Sequence, residues 1–244
     1  MLKLIKRIAR SYIEKRGFVR GPAAPNVHTV LARLPKVNVA TVIDVGASDG
    51  RWSAEIMRYF SAARYLLIEA QEQAHGAALQ RFKADHPNVV YEICAAGDSE
   101  GEIHFDVGHA FWGQAASTPF LKNDITVPMN TVDNLVRKYG FQGPFLLKLD
   151  THGFEVPILE GARETLSKAS MLIIEAYNYS ICPGCLRFHE MCFFLEARGF
   201  RCADIYDLGT RPSDNAFWYM DMVFLPSSHP IFESNRFSAD EHPE

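Results

Sequence analysis

From residue 41 onward, short runs of aliphatic and β-branched residues alternate with longer stretches in which apolar positions recur at helical spacing. That alternation is the signature of βαβ units, in which a helix returns each strand to a mainly parallel sheet. The pattern predicts strands at Thr41–Val45, Tyr65–Glu69, Val89–Cys94, Phe145–Asp150, Met171–Glu175, Phe200–Tyr206 and Tyr219–Leu225. Helices are predicted at Arg51–Phe60, Glu72–Ala84, Thr131–Tyr139, Glu155–Ser167 and Leu186–Arg198, the last stopped by Gly199. Between Gly101 and Pro128 the helical period disappears, and Phe105, Phe111, Trp112, Gly113 and Pro119 predict an irregular or β-rich insertion placed to cover a site. No repeat or low-complexity segment interrupts this order.

The first twenty residues follow a different pattern. Leu2, Ile5, Ile8, Ala9, Tyr12 and Ile13 predict an amphipathic helix ending at Gly17. Its seven basic residues against Glu14 carry +6, which leaves −10 on the rest of a chain whose net charge is −4. Such a helix either packs on its own domain or lies peripherally on an anionic membrane surface. Pro22 and Pro25 mark a linker. The expected division is a basic helix and linker at 1–25, a main domain at 26–230 and a polar tail at 231–244.

Composition narrows the class further. Over 244 residues, 48% hydrophobic and 22% charged side chains are globular proportions, and a single α/β core can bury most of the apolar surface. The acidic balance lacks the footprint of a dedicated nucleic-acid binder. No apolar run approaches the roughly 18 residues of a membrane span, since even Met171–Ala176 contains Glu175. Five cysteines, an odd number with no secretory leader before them, predict free thiols in a reducing compartment, with a cytoplasmic location as the default.

Candidate chemistry begins at Val42-Ile43-Asp44-Val45-Gly46-Ala47-Ser48-Asp49-Gly50, where a strand feeds a helix through a glycine-containing turn. Gly46 and Gly50 allow close approach of a nucleotide, Ala47 keeps the turn small, and the helix start offers unpaired N–H groups. A dinucleotide fingerprint would need glycines where Ser48 and Arg51 stand. Asp44 and Asp49 also suit a ligand bearing ammonium and sulfonium charges better than a pyrophosphate. Charge therefore favours S-adenosylmethionine over NAD. Glu69, followed by Ala70, ends the second strand where a carboxylate accepts hydrogen bonds from both ribose hydroxyls. Ala96 and Asp98 follow the third strand, where an adenine edge would rest.

These residues, and above all the run Lys148-Leu149-Asp150-Thr151-His152-Gly153-Phe154-Glu155-Val156-Pro157-Ile158-Leu159-Glu160-Gly161-Ala162, resemble the FkbM family of class I methyltransferases. The resemblance spans roughly residues 40 to 225, and Phe217–Phe224 is similar to the family's final strand. It implies a Rossmann-like α/β fold: a seven-stranded, mainly parallel sheet with a reversed last strand and helices on both faces. It implies S-adenosylmethionine as donor and mostly O-methylation of hydroxyls on sugars, glycolipids or natural products such as polyketides. One departure is His152, where many relatives carry Glu.

Methyl transfer to an alcohol needs a base, and Asp150, His152 and Glu155 fall at the carboxyl end of the fourth strand, where open α/β sheets bind ligands. His152 is the candidate base, with Asp150 orienting it or holding the donor. Glu175 and Asp221 point to the same sheet edge, and with Asp150 and His152 they compose an oxygen and nitrogen set suited to a divalent cation. Metal independence is nonetheless the expectation. Cys182-Pro183-Gly184-Cys185 with His189 and Cys192 is too compressed for a zinc site. Loop and core thiols are the expectation there. Two other functions stay open: a cofactor-binding or scaffold protein that has lost its base, suggested by His152, and an NAD-dependent Rossmann enzyme.

Overall fold

The computed structural model describes residues 25–34 and 36–236, so the predicted basic helix at 1–20 lies outside the described residues. The main sheet holds seven strands: β1 (Thr41–Val45), β2 (Arg64–Glu69), β3 (Val89–Ile93), β8 (Phe145–Leu149), β9 (Ala169–Tyr177), β10 (Phe200–Thr210) and β11 (Phe217–Pro226). Their order is β10-β11-β9-β8-β1-β2-β3, with β11 antiparallel to both neighbours and the other pairs parallel. This is the reversed-strand sheet that the family resemblance implies. The order switches direction between β1 and β8, where an open sheet forms its binding crevice.

Alternation along the strands sorts side chains onto two packed faces. Ile43, Val45, Leu147 and Leu149 pack with α4 (Val132–Tyr139), α5 (Glu155–Glu160), α6 (Arg163–Leu166) and α7 (Phe188–Glu196). Val42, Leu146, Ile173 and Val223 pack with α1 (Val27–Arg33), α2 (Arg51–Ile56) and α3 (Glu72–Asp85). Asp44 and Lys148 are paired in register on the second face, buried within an otherwise apolar layer. The Gly101–Pro128 segment is β-rich: β5 (Gly101–Asp106), β6 (Gln114–Ala116) and β7 (Asp124–Asn130) join β4 (Ala95–Ala96) in a second sheet of order β4-β7-β5-β6.

Differences from the predicted elements have local causes. Helix α1 was not foreseen; Asn26 and Thr29 cap it reciprocally, and Val27 and Val30 anchor it to the core. The single helix expected over Glu155–Ser167 is two. Gly161 lies so close to Gly97 that an added Cβ would sit 1.9 Å from the Gly97 carbonyl oxygen. Asp133 of α4 then caps the second helix, accepting from the N–H groups of Glu164 and Thr165 at 2.9 and 2.8 Å. The β10–β11 ribbon runs beyond Tyr206 into exposed residues whose hydropathy does not alternate. In the expected polar tail, Phe232 packs beneath the Arg201 guanidinium, 4.7 Å from its ring centre. Replacing Gly161 by Ala forces one of two backbones to move and should cost roughly 1–3 kcal/mol. A urea or thermal denaturation midpoint equal to that of the parent would contradict this packing.

Candidate active site

A cavity of about 330 Å³ opens at the carboxyl ends of β1, β2 and β8 and is roofed by the β5–β6 connection. The turn after β1 shapes its floor. Gly46 adopts φ +77, and a Cβ there would lie 2.1 Å from the Asp150 carbonyl oxygen, so only glycine lets the ends of β1 and β8 abut. The Asp150 N–H donates to the Val45 carbonyl at 3.0 Å across the same junction. Glu69 is buried, and its two oxygens accept from the backbone N–H groups of Ser48 and Gln71, each at 2.8 Å. The carboxylate is thereby fixed at the cavity wall. Ser48 Oγ is also buried there and has no partner among the described residues.

Of the predicted cofactor-binding residues, Gly46, Ala47, Glu69, Ala70, Ala96 and Asp150 line this cavity. Asp44, Asp49, Gly50 and Asp98 do not. Asp44 lies beneath the turn, accepts from Ser53 Oγ at 2.7 Å, and is pushed above the usual carboxylate range by burial, against the pull of Lys148. Asp49 is engaged by Arg51, whose guanidinium holds it below the usual range. Gly50, at φ +84, starts α2. Asp98 is exposed and accepts from Ser99 Oγ.

The three predicted catalytic groups converge. His152, Asp150 and Glu175 each offer a ligand atom within 4.8 Å of the others, and among the described residues they are the one such trio of His, Cys, Asp or Glu groups that could hold a metal ion. Cys185, His189 and Cys192 form no such group; all five cysteines are free. His152 Nδ1 lies 2.7 Å from Tyr177 Oη and 3.3 Å from Glu175 Oε1, while Tyr177 donates its hydroxyl hydrogen to Glu175. His152 Nε2 lies 3.0 Å from the Phe111 carbonyl oxygen, which only accepts. With acceptors facing both ring nitrogens, the imidazolium is the form this geometry suits. Burial opposes that charge, but the hydrogen bond toward Glu175 and the charges of Asp150 and Glu175 outweigh it and raise the pKa of His152. The backbone at His152 is itself left-handed, with φ 53.

Several residues here were not foreseen. Lys148 is 3% exposed and donates to Asp150 Oδ2 at 2.8 Å. Burial of Asp150 is more than offset by Lys148 and His152, which keep it below the usual carboxylate range. A lysine amid Leu146, Leu147 and Leu149 in a predicted buried strand was the available signal. The carbonyl of Phe111 had none, because it acts through backbone. That roof is strapped down by Gln71 Nε2 and His75 Nε2 on the Ala110 carbonyl at 3.0 and 2.7 Å. The Trp112 ring stacks on His152 with centroids 5.4 Å apart.

The raised pKa of His152 sets a sign. Its stabilising contribution is complete below the unfolded-chain value of about 6.5 and is lost as pH rises through the folded value. NMR titration of the imidazole should therefore give a midpoint above the ordinary histidine value, and Glu175→Gln should lower it. A midpoint unmoved by Glu175→Gln would contradict the assigned coupling.

A family model, the methyltransferase FkbM domain, matches residues 44–202. A crystal structure of methyltransferase FkbM from Methylobacillus flagellatus KT superposes with a TM-score of 0.52 at 19% identity, covering 78% of this chain and 45% of that one. The chain thus spans less than half the length of that structure. Precorrin-6y C5,15-methyltransferase from Geobacter metallireducens GS-15 gives a TM-score of 0.47 at 12% identity, covering 82% of this chain and 87% of that one. Magnesium protoporphyrin IX methyltransferase from Synechocystis PCC 6803, solved with bound SAM, gives 0.43 at 14% identity, covering 91% and 97%. No curated protein matches the sequence.

Proposed function

The chain belongs to the FkbM methyltransferase family and has the class I methyltransferase fold, and from that premise we propose that it is an S-adenosylmethionine-dependent O-methyltransferase acting on a hydroxyl of a sugar, glycolipid or other natural product. The observation that carries this reading is a single cavity in which the glycine turn, Glu69 and the Asp150–His152 pair all meet. The donor set fits the cofactor. Glu69, preorganised by two amides, retains lone pairs for two ribose hydroxyls. Ser48 Oγ is a buried polar group without a partner among the described residues, and Ala47, Ala70 and Ala96 leave room for a flat ring. Bound there, S-adenosylmethionine supplies a methyl group on a cationic sulfur.

His152 then has the role of general base at Nε2, with Nδ1 held toward Tyr177 and Glu175 in the orientation that steers its tautomer. A neutral Nε2 cannot share its lone pair with the Phe111 carbonyl, so the incoming hydroxyl must take the place of that carbonyl. Asp150, anchored by Lys148, contributes a fixed negative charge 3.9 Å from Nδ1 that stabilises the imidazolium as the proton arrives. Its depressed pKa makes it the weaker base of the two. Residues 26–230 are the proposed methyltransferase unit.

Calorimetric titration should show binding of S-adenosylmethionine and S-adenosylhomocysteine and none of NAD. Glu69→Gln should weaken both by about 1.5–3 kcal/mol, the scale of charge-assisted hydrogen bonds. Unchanged affinity in a folded variant would defeat the assignment. In turnover with an acceptor, His152→Ala should lose roughly a hundredfold to ten-thousandfold with cofactor affinity retained, and the parent rate should rise with pH through the raised His152 midpoint. Parent-like turnover in the alanine variant would remove His152 from the mechanism.

A further inference from the structure

Past the glycine turn, the cavity continues over the sheet face covered by α1 and α2, between Trp52 and Glu55 of α2 and Tyr206, Asp207 and Asp221 of the β10–β11 ribbon. Polar groups at this end are poorly paired. Tyr206 is 1% exposed, and its hydroxyl and the buried Trp52 Nε1 face each other, but neither makes a hydrogen bond of good geometry with a described residue. Buried donors in this state carry a desolvation cost that a ligand can relieve. The ribbon is irregular at this place: its pairing register shifts between Tyr206 and Gly209, and Asp207 takes the left-handed φ of 46. Bulges re-aim side chains, and strained backbone of this type clusters at ligand sites.

The charge here is one-sided. Glu55, Asp150, Asp207 and Asp221 line the region, while the cations beside them, Lys148 and the His152 imidazolium, are already engaged by Asp150 and Glu175. Arg51 also lines the cavity, but its guanidinium is held by Asp49. We propose that this end is the acceptor subsite and that it selects an acceptor carrying a protonated amine beside its hydroxyls, an inference that rests on the methyltransferase reading above. An ammonium donates to the side-chain oxygens of Asp207 and Asp221. Trp52 Nε1 donates to a hydroxyl oxygen of the same ligand, and Tyr206 Oη serves as donor or acceptor. An anionic acceptor meets like charge from Asp207 and Glu55. A neutral polyol satisfies the hydrogen bonds but makes no charge-assisted one to these groups.

The test is calorimetry on the full chain loaded with S-adenosylhomocysteine, titrated with glucosamine, glucose and glucuronate as matched cationic, neutral and anionic probes. Glucosamine should bind at least about tenfold more tightly than glucose, the scale of one charge-assisted hydrogen bond. Glucuronate should not bind. Asp207→Asn and Asp221→Asn should each erase the preference for glucosamine while S-adenosylhomocysteine affinity is kept. Equal affinity for glucosamine and glucose, a preference for glucuronate, no binding of glucosamine, or a preference that survives both substitutions would overturn the proposal. Failure of the cofactor reading registers separately, as the absence of the S-adenosylhomocysteine isotherm.

Discussion

One buried ion pair organises the site. Lys148 stands in β8 with its ammonium almost wholly removed from water, donating to Asp150 and facing Asp44 across the β1–β8 register. A lysine in that position survives only with carboxylates around it, since an uncompensated buried charge costs about 3–5 kcal/mol. The surrounding acids hold its pKa above the ordinary value in spite of burial. In return it fixes the Asp150 side chain at the sheet's switch point, and keeps Asp150 ionised beside His152. Replacing Lys148 would therefore disturb the glycine turn, the base and the acidic end of the cavity together.

The roof works against the proposed base. His152 is stacked under Trp112 and capped by the Phe111 carbonyl, contacts that suit its charged form. The proposed role needs the neutral form with Nε2 open. The two requirements are reconciled when the roof is a cover that the acceptor displaces. The polar straps from Gln71 and His75 to Ala110, and the exposure of Phe111 and Trp112, place that cover at the surface, where displacement is least costly.

Much of this was legible in the residues. The strand cores of β1, β2 and β8 followed from buried aliphatic runs, and the Gly46 turn, Glu69 and the Asp150–His152 pair followed from chemistry at strand ends. Of Glu175 and Asp221, both expected at the same sheet edge as Asp150 and His152, Glu175 joins that group and Asp221 does not. What escaped depends partly on contacts distant in sequence and partly on neighbouring side chains that claim a carboxylate first. The break at Gly161 comes from Gly97, more than sixty residues away. The removal of Asp44 and Asp49 from the cavity surface comes from Ser53, Lys148 and Arg51 claiming them first. Asp98 turned outward because a carboxylate after a short bridge strand is satisfied by solvent and Ser99. Phe111 acts through a carbonyl, which no side-chain pattern encodes.

The central claim is that the cavity at the ends of β1, β2 and β8 holds S-adenosylmethionine with its reactive centre toward Asp150 and His152. A crystal structure of the full chain grown with S-adenosylhomocysteine tests it most directly. The account predicts ribose hydroxyls on Glu69, the adenine beside Ala70 and Ala96, and the sulfur facing the Asp150–His152 pair. Density for the ligand elsewhere, or in this cavity with the ribose away from Glu69, would contradict it.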